Sequence, residues 1–481
     1  MPRDDGKKLS LPHQAEGTAF LRANERAALF DEQGLGKSKQ LIDAVAAEIA
    51  HGGMAGALII CPNGLKTNWG AEIESFCSLP YAVFGAGRSA RRSAFGSLRA
   101  AFYVINYEAV DAELPSLRAL LRFKPMALVL DESHRIKTPG ARVTKAVLQL
   151  RAEAKRRYIM TGTPVANRPE DLWSQFLFLD DGDSLGVTFE EFKTRYCATG
   201  GGYKAVSDLR DRVSSLSMRR LKEGTVDLPP KQVHRVFVDM EPRQAAMYDE
   251  LRNELALWVS AMDGTQVLKQ AEAILARLVR LAQLASNPAL LDAAYGEDSC
   301  KLVALDALLE TYLKSPRQKV IVWTSFTDNV AAIKLRYRDH SPVTLYGAMS
   351  TPERDDAVRR FRQDPEVRIM IANPAAAREG LTLTEANVAI YVDRTFNLVD
   401  YLQSQDRIHR ISQTRPCEII LLLANASVDA FIDFSLEQKH RLAKYAQTDS
   451  DEIAPADLAL AKPDVLRALM WPEGNVQEGT G

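Results

Sequence analysis

Short apolar runs punctuate this chain in two separate series, and each run is bounded by turn or polar residues. The first series is Ala27–Phe30, Ala57–Cys61, Phe102–Ile105, Ala127–Leu130 and Tyr158–Met160. Runs of this length and uniformity suit strands buried on both faces of a parallel sheet. Helical stretches lie between several of them. After Lys37, for example, Leu41, Ile42, Val45 and Ile49 recur on one helical face. The second series is Val320–Trp323, Thr344–Tyr346, Ile369–Ile371, Val388–Val392 and Ile419–Leu423. Two such series predict an α/β protein with two doubly wound parallel sheets.

Between the series the strand signals fade. Helical protrusions, one from each lobe, are expected over about 171–222 and about 242–291, where Ile274, Leu278 and Leu281 keep helical spacing. Leu228-Pro229-Pro230-Lys231 reads as the interlobe linker, because adjacent prolines stiffen an extended chain. The expected division is therefore 1–227, 228–450 and a C-terminal tail, 451–481, whose polar end from Glu473 is expected to fray.

With 481 residues, 46% hydrophobic and 26% charged, the chain has the composition of a folded soluble protein. No apolar run spans a bilayer and Met1–Ser10 lacks the apolar core of a secretory signal, so no membrane partner and a cytoplasmic location, bacterial or viral host, are expected. Five scattered cysteines form no C-x-x-C pair, against a zinc site or disulfide framework. The net charge of −1 neither supports nor excludes nucleic acid, since a motor that releases its track needs only a local basic groove.

The strongest local motif is Asp31-Glu32-Gln33-Gly34-Leu35-Gly36-Lys37-Ser38, placed after a strand and opening a helix. Gly34 and Gly36 let backbone N–H groups face phosphate oxygens, Lys37 can reach the β- and γ-phosphates, and Ser38 can ligate Mg²⁺. Asp31 stands where the strict phosphate loop has its first glycine. Next comes Asp131-Glu132-Ser133-His134 at the end of a strand. Adjacent buried acids are costly unless they face a cation, so Asp131 is a candidate Mg²⁺ ligand and Glu132 a candidate base for the attacking water. An acid-rich helix start is the competing reading. Thr161-Gly162-Thr163-Pro164 follows another strand and could sense the γ-phosphate, or be a turn only. In Gln403–Gln413, Arg407 and Arg410 are three apart, so on a helix they would share a face and suit a transferring phosphoryl group as arginine fingers.

These segments occur in an order that resembles the Swi/Snf family of superfamily-two helicase-like ATPases over nearly the whole chain. The resemblance implies two RecA-like lobes, ATP and Mg²⁺ as cofactors, and DNA-dependent ATP hydrolysis. Leu11–Gly17 is similar to the family's adenine-contacting element, with Gln14 as the base-reading residue; Asp31 is ordinary in its phosphate loop. Cys61-Pro62 with Asn68-Trp69 and Glu72 is similar to a nucleic-acid motif. Met218–Lys222 with Leu228–Lys231, and Gln244 with Tyr248, resemble a family-specific crossing between lobes. Leu281–Pro288, Tyr346-Gly347, Gly380–Leu383 and Gln403–Gln413 complete the set, implying nucleotide contacts by Gly380 and Gln403. Ala375–Glu379 and Ser412 depart from the family's glycines.

The family resemblance implies movement along double-stranded DNA without full strand separation. A surface of backbone amides and short polar side chains would hold phosphates without regard to sequence. Asn63, Lys66, Trp69, Thr324 and Thr382 are the implied nucleic-acid contacts, with packing an equal reading for Trp69. The pairs Arg91-Arg92, Arg156-Arg157 and Arg359-Arg360 line a groove or a solvated face. No bromo-like, zinc or histone-reading segment is visible, so remodelling of protein–DNA complexes in repair, replication, transcription or defence is expected rather than chromatin remodelling. An RNA helicase, an ATP-gated DNA clamp and the motor subunit of a larger complex are the alternatives.

Overall fold

A computed structural model describes residues 9–85, 95, 99–165, 168–198, 203–262, 266, 270–378 and 381–447. Gly380, the Arg91-Arg92 pair and the tail 451–481 lie outside the described residues. The chain divides into two compact units. One is Met1–Asp227, joined by the stretch beginning at His440; the other is Leu228–Lys439.

The first unit is built on a seven-stranded, all-parallel sheet. Its strands are β1 (Arg26–Leu29), β2 (Gly56–Cys61), β3 (Tyr81–Val83), β4 (Phe102–Asn106), β5 (Met126–Asp131), β6 (Arg156–Met160) and β7 (Ser217–Met218). They lie in the order β3-β4-β2-β5-β6-β1-β7. Helices Pro12–Ala23, Lys37–Ala50 and Lys66–Phe76 bury Leu21, Leu41, Ile42, Val45, Trp69 and Ile73 against Ile59, Phe102, Val129 and Tyr158. All six residues of β2 and of β5 are buried. That double coverage is why their sequences read as unbroken apolar runs rather than alternating ones.

Residues 171–222 do not simply stand away from the lobe as a protrusion. Helix Trp173–Asp180 packs on β6 and β1, with the Phe176 ring 6.4 Å from that of Phe30. Its apolar segment Phe176-Leu177-Phe178-Leu179 is buried, and each such side chain contributes roughly 1.5–3 kcal/mol by leaving water. Helix Val206–Leu216 also contacts β1, and β7 then extends the sheet beside it. Arg156 and Arg157 are not groove residues. Arg156 donates to the Arg22 carbonyl at 2.8 Å and Glu48 at 2.9 Å, while Arg157, 2% exposed, pairs with Asp181. Arg359 and Arg360 are exposed on helix Thr351–Gln363, with Arg359 paired to Asp356.

The second unit carries β8 (Lys231–Val238), β9 (Val320–Trp323), β10 (Val343–Leu345), β11 (Ile369–Ala372), β12 (Val388–Tyr391) and β13 (Cys417–Ala424). This six-stranded sheet is also wholly parallel, in the order β10-β11-β9-β12-β13-β8. Alternate residues feed two cores: Ile321, Met370 and Ala389 on one face, Val320, Val322, Ile371 and Ile390 on the other. Helices Pro242–Ser260 and Ala271–Ser286 pack as a pair, tied by Gln244 Nε2 donating to the Leu284 carbonyl at 2.8 Å.

The two units divide at Asp227/Leu228, where the linker was expected, and of Leu228–Lys231 only Lys231 belongs to a strand. It opens β8, which pairs with β13 along its full length, so extended backbone at this point is sheet rather than spacer. The signal was hidden because β8 is an edge strand whose first five residues are exposed. Among the described residues, no helix is long and apolar enough to cross a membrane.

A buried ion pair aligns two helices of the second unit. Lys301, fully buried, lies 2.6 Å from Asp429, which also accepts the Ala424 amide at 2.9 Å. Lys301→Met should cost about 3–5 kcal/mol in denaturant unfolding because it strands a buried carboxylate. Adding Asp429→Asn should recover a substantial part of that loss.

Candidate active site

β5, β6 and β1 are neighbours in the first sheet and run the same way, so their C-terminal ends open on one edge. The phosphate-loop sequence leaves β1, the acidic pair ends β5, and Thr161–Pro164 leaves β6. Topology thereby brings together residues that are about a hundred positions apart, at the edge where ligands bind in open α/β sheets.

The loop curls through left-handed backbone at Gly34 (φ 96°) and Gly36 (φ 78°). The positive φ favours glycine at 36, and a side chain there would also displace the Gln14 amide. Helix Lys37–Ala50 begins at once, and its free N-terminal amides face the loop. Lys37 folds back, donating from Nζ to the Asp31 carbonyl at 2.7 Å. Burial lowers the pKa of its amine, while the charges of Glu132, Asp31 and Asp131 pull it back up. Ser38 follows, half-buried, on the first turn.

Asp131 and Glu132 face different partners. Asp131 accepts the Trp69 indole N–H on Oδ2 at 2.8 Å, and its carbonyl accepts the Tyr107 hydroxyl at 2.8 Å. Glu132 adopts φ 51°, a left-handed conformation that a non-glycine residue holds only when its surroundings impose it. That turn directs its carboxylate to Gln33 at 3.3 Å and the Thr161 hydroxyl at 3.1 Å, with the His134 ring 3.3 Å away. Burial raises Asp131, and the adjacent Glu132 carboxylate raises it further; together they outweigh Trp69 and Lys37 and bring it to about 7. At Glu132 burial acts the same way, but hydrogen bonding and charge from His134, the charge of Lys37 and the Thr161 hydroxyl prevail and hold it at about 2. One carboxylate is thus kept ionised while the other lacks sufficient positive charge.

That shortfall fits a divalent cation. A buried carboxylate with raised pKa next to a second carboxylate offers the oxygen donors Mg²⁺ takes, and Ser38 adds a hydroxyl on the first turn of the helix that the loop opens. Ser38 and Asp131 are the residues that would hold it.

Several assignments change. Trp69 is 2% exposed and orients Asp131, so it is not a surface contact for nucleic acid. Thr324 is fully buried and donates to Asp393 at 2.7 Å, at the end of β9, within a polar cluster with Ser286 and Asn329. Lys66 is half-buried and ties its helix to the Phe84 carbonyl at 3.0 Å and Asn106 at 3.2 Å. Asn63 is exposed. Thr382 is half-buried and its hydroxyl accepts from Arg410 at 2.6 Å.

Arg407 and Arg410 do not share a helical face, because helix Leu398–Gln405 ends before them and the chain continues through turns. Arg407 is fully buried within its own unit, donating to the Gln403 carbonyl at 2.9 Å and the Leu381 carbonyl at 3.2 Å. These bonds tie the turn after the helix to the segment at Leu381. Arg410 is half-buried. Gln403 is buried, and its carbonyl serves Arg407. Ser412, the departure from glycine, shares a hydrogen bond with Thr384 at 3.1 Å.

Residues 218–222, which precede the division between the units, buttress the phosphate loop. The Met218 carbonyl accepts Phe30 N at 2.8 Å, the Arg220 carbonyl accepts Glu32 N at 2.9 Å, and Lys222 N donates to Glu32 at 2.8 Å. Arg219 NH1 donates to the Phe30 carbonyl at 2.6 Å. Asp31, fully buried, takes the Arg220 guanidinium on both oxygens, at 3.0 and 2.6 Å. This is the physical reason for an aspartate at 31. Sequence reasoning missed the pairing because 189 positions separate the two residues.

Comparison with known proteins bears on the same elements. A model of the SNF2-related domain matches residues 13–290, and one of the helicase conserved C-terminal domain matches 300–412. Chromodomain-helicase-DNA-binding protein 1-like of Danio rerio is 27% identical over 501 residues, covering 97% of this chain and 48% of its own length. The putative ATP-dependent helicase/translocase YwqA of Bacillus subtilis is 28% identical over 461 residues, covering 90% and 48% respectively. The SWI2/SNF2 ATPase core of Sulfolobus solfataricus in complex with dsDNA is 28% identical, covering 94% of this chain and 96% of that one, with a TM-score of 0.44. The chain spans about half the length of the curated relatives named here.

The raised Asp131 carboxyl predicts a pH signature in the metal-free protein. Its folded pKa lies above the ordinary 3.8, so the stability cost of its ionisation is absent below about 3.8, grows as pH rises, and is fully felt above about 7. Asp131→Asn should therefore stabilise the chelator-treated protein by up to a few kcal/mol at about pH 8, the gain shrinking towards about pH 5. Thermal unfolding across that range checks the trend.

Proposed function

The chain belongs to the SNF2-related family, and on that premise we propose that it is a DNA-dependent ATPase that couples ATP hydrolysis to movement along double-stranded DNA and so remodels protein–DNA complexes. The observation that carries this reading is the convergence of Lys37, Asp131, Glu132 and Thr161 at the ends of three adjacent parallel strands.

Each residue has a role that follows from its chemistry. The amides after Gly34 and Gly36 and the amine of Lys37 bind the β- and γ-phosphates. Gln14 contacts the base. Glu132, kept ionised, orients the attacking water and takes its proton. Thr161 and His134 hold that carboxylate in place. Mg²⁺, held by Ser38 and Asp131, neutralises phosphate charge when bound. Arg410, whose guanidinium donates to the Thr382 hydroxyl, is the candidate arginine finger for the γ-phosphate. Dependence of hydrolysis on a residue of the other unit gives a cycle of closing and release that can advance along a phosphate backbone. Asn63 is the exposed candidate for that backbone in the first unit. Sequence-independent binding follows if contacts are confined to phosphates.

ATP turnover measured with duplex DNA, single strands and RNA is the direct test. Duplex DNA should stimulate most; equal or greater stimulation by RNA would favour an RNA helicase. Lys37→Ala should lower duplex-stimulated turnover by about a hundredfold or more. Persistence of turnover in that variant would remove the nucleotide-site assignment. Arg410→Ala should still bind nucleotide but lose turnover to a similar degree. In a triplex-displacement assay the wild-type chain should displace the third strand, whereas an ATP-gated clamp would leave it in place.

A further inference from the structure

Arg220 takes no part in the phosphate chemistry described above, yet it joins three pieces of the nucleotide site. Its Nε and NH2 grip both oxygens of buried Asp31 at the entry to the phosphate loop. NH2 also donates to Gln40 Oε1 at 2.9 Å, on the helix that the loop opens. NH1 donates to the His13 carbonyl and to Glu16 at 3.3 Å, both on helix Pro12–Ala23. Gln40, itself fully buried, returns a bond to Asp31 at 3.0 Å, which closes the cluster.

The next residue after His13 is Gln14. Its amide oxygen accepts Leu11 N at 3.1 Å, and its amide lies against Gly36 of the loop. Gly17, one turn on, makes room for the cluster: a Cβ there would strike Gln40 Oε1 and stand 2.7 Å from Arg220 NH2. The helix is thus held to the loop through a bidentate guanidinium–carboxylate pair, whose fork geometry fixes orientation as well as distance.

We propose that Arg220 is a positioning residue that sets nucleotide affinity and base selectivity by locking the Gln14 helix onto the phosphate loop through Asp31. The proposal rests on the reading of this site as an ATP site with Gln14 at the base. Phosphates are gripped by the loop and Lys37, and water is handled by Glu132. Loosening the helix should therefore weaken capture of the base far more than the chemical step.

The test compares kcat and KM for ATP and for GTP in the full chain with duplex DNA. Arg220→Lys keeps the charge but loses the fork; Gly17→Ala crowds Gln40 and the Arg220 guanidinium without removing any charge. Each should raise KM for ATP about fivefold or more, leave kcat within about twofold, and shrink the ATP-over-GTP preference in kcat/KM by a comparable factor. Arg220→Met strands the Asp31 carboxylate, so it is made together with Asp31→Asn. That double variant, if its unfolding transition matches wild type, should show the same loss of preference. Unchanged KM and preference in the folded variants, or a fall in kcat alone, would overturn the proposal. Lys37→Ala run alongside separates the two levels: turnover surviving there removes the ATP-site reading itself, whatever the Arg220 variants do.

Discussion

Two carboxylates, Asp131 and Glu132, sit side by side in a buried place; burial and its neighbour disfavour charge on Asp131, while His134, Lys37 and Thr161 favour it on Glu132. Everything around the first unit's site follows from managing that charge. Lys37 leans on the carbonyl of Asp31, Trp69 donates its indole proton to Asp131, and Thr161 and His134 settle Glu132. A cation-binding oxygen set beside a preorganised base is the arrangement phosphoryl transfer uses, because that chemistry needs charge stabilisation and positioning more than covalent help.

The scaffold makes this possible by keeping the strands short and fully covered. With helices packed on the sheet, polar chemistry is confined to the strand ends, where backbone and side chains turn out of the apolar layer. The second unit repeats the plan with its own chemistry: Asp393 gathers Ser286, Thr324 and Asn329 at the ends of β9 and β12, and buried Arg407 stabilises the turn that presents Arg410. The residues that bind are few; a second layer of buried polar residues that fix them is larger, and it is the layer motif reading misjudged.

The misjudgements have a common physical origin. Trp69 and Thr324 are residue types that suit a nucleic-acid surface, but their strand-end and helix positions turn them inward, where the nearest acceptors are aspartates. Arg407 and Arg410 have helical spacing, but the helix stops at Gln405 because the following turn is pinned by Arg407 itself. β8 escaped notice because edge exposure removes the apolar signature that marked its neighbours. For Trp69 and Thr324 the deciding partner lies 62 and 69 positions away, whereas for Arg407 it is the carbonyl four residues back.

What the amino-acid order settles by itself is the periodic part: ten apolar runs, each close to an observed strand, the glycines of the loop, and the acids that end β5. These follow from burial and backbone sterics that act within a few residues. Which side chain answers which was decided only by the fold. Asp31 meets Arg220 across 189 positions, and Glu132 meets Gln33 across 99. Such pairs carry no local signature, since two residues become neighbours only when the parallel sheet sets their strands and loops on one edge.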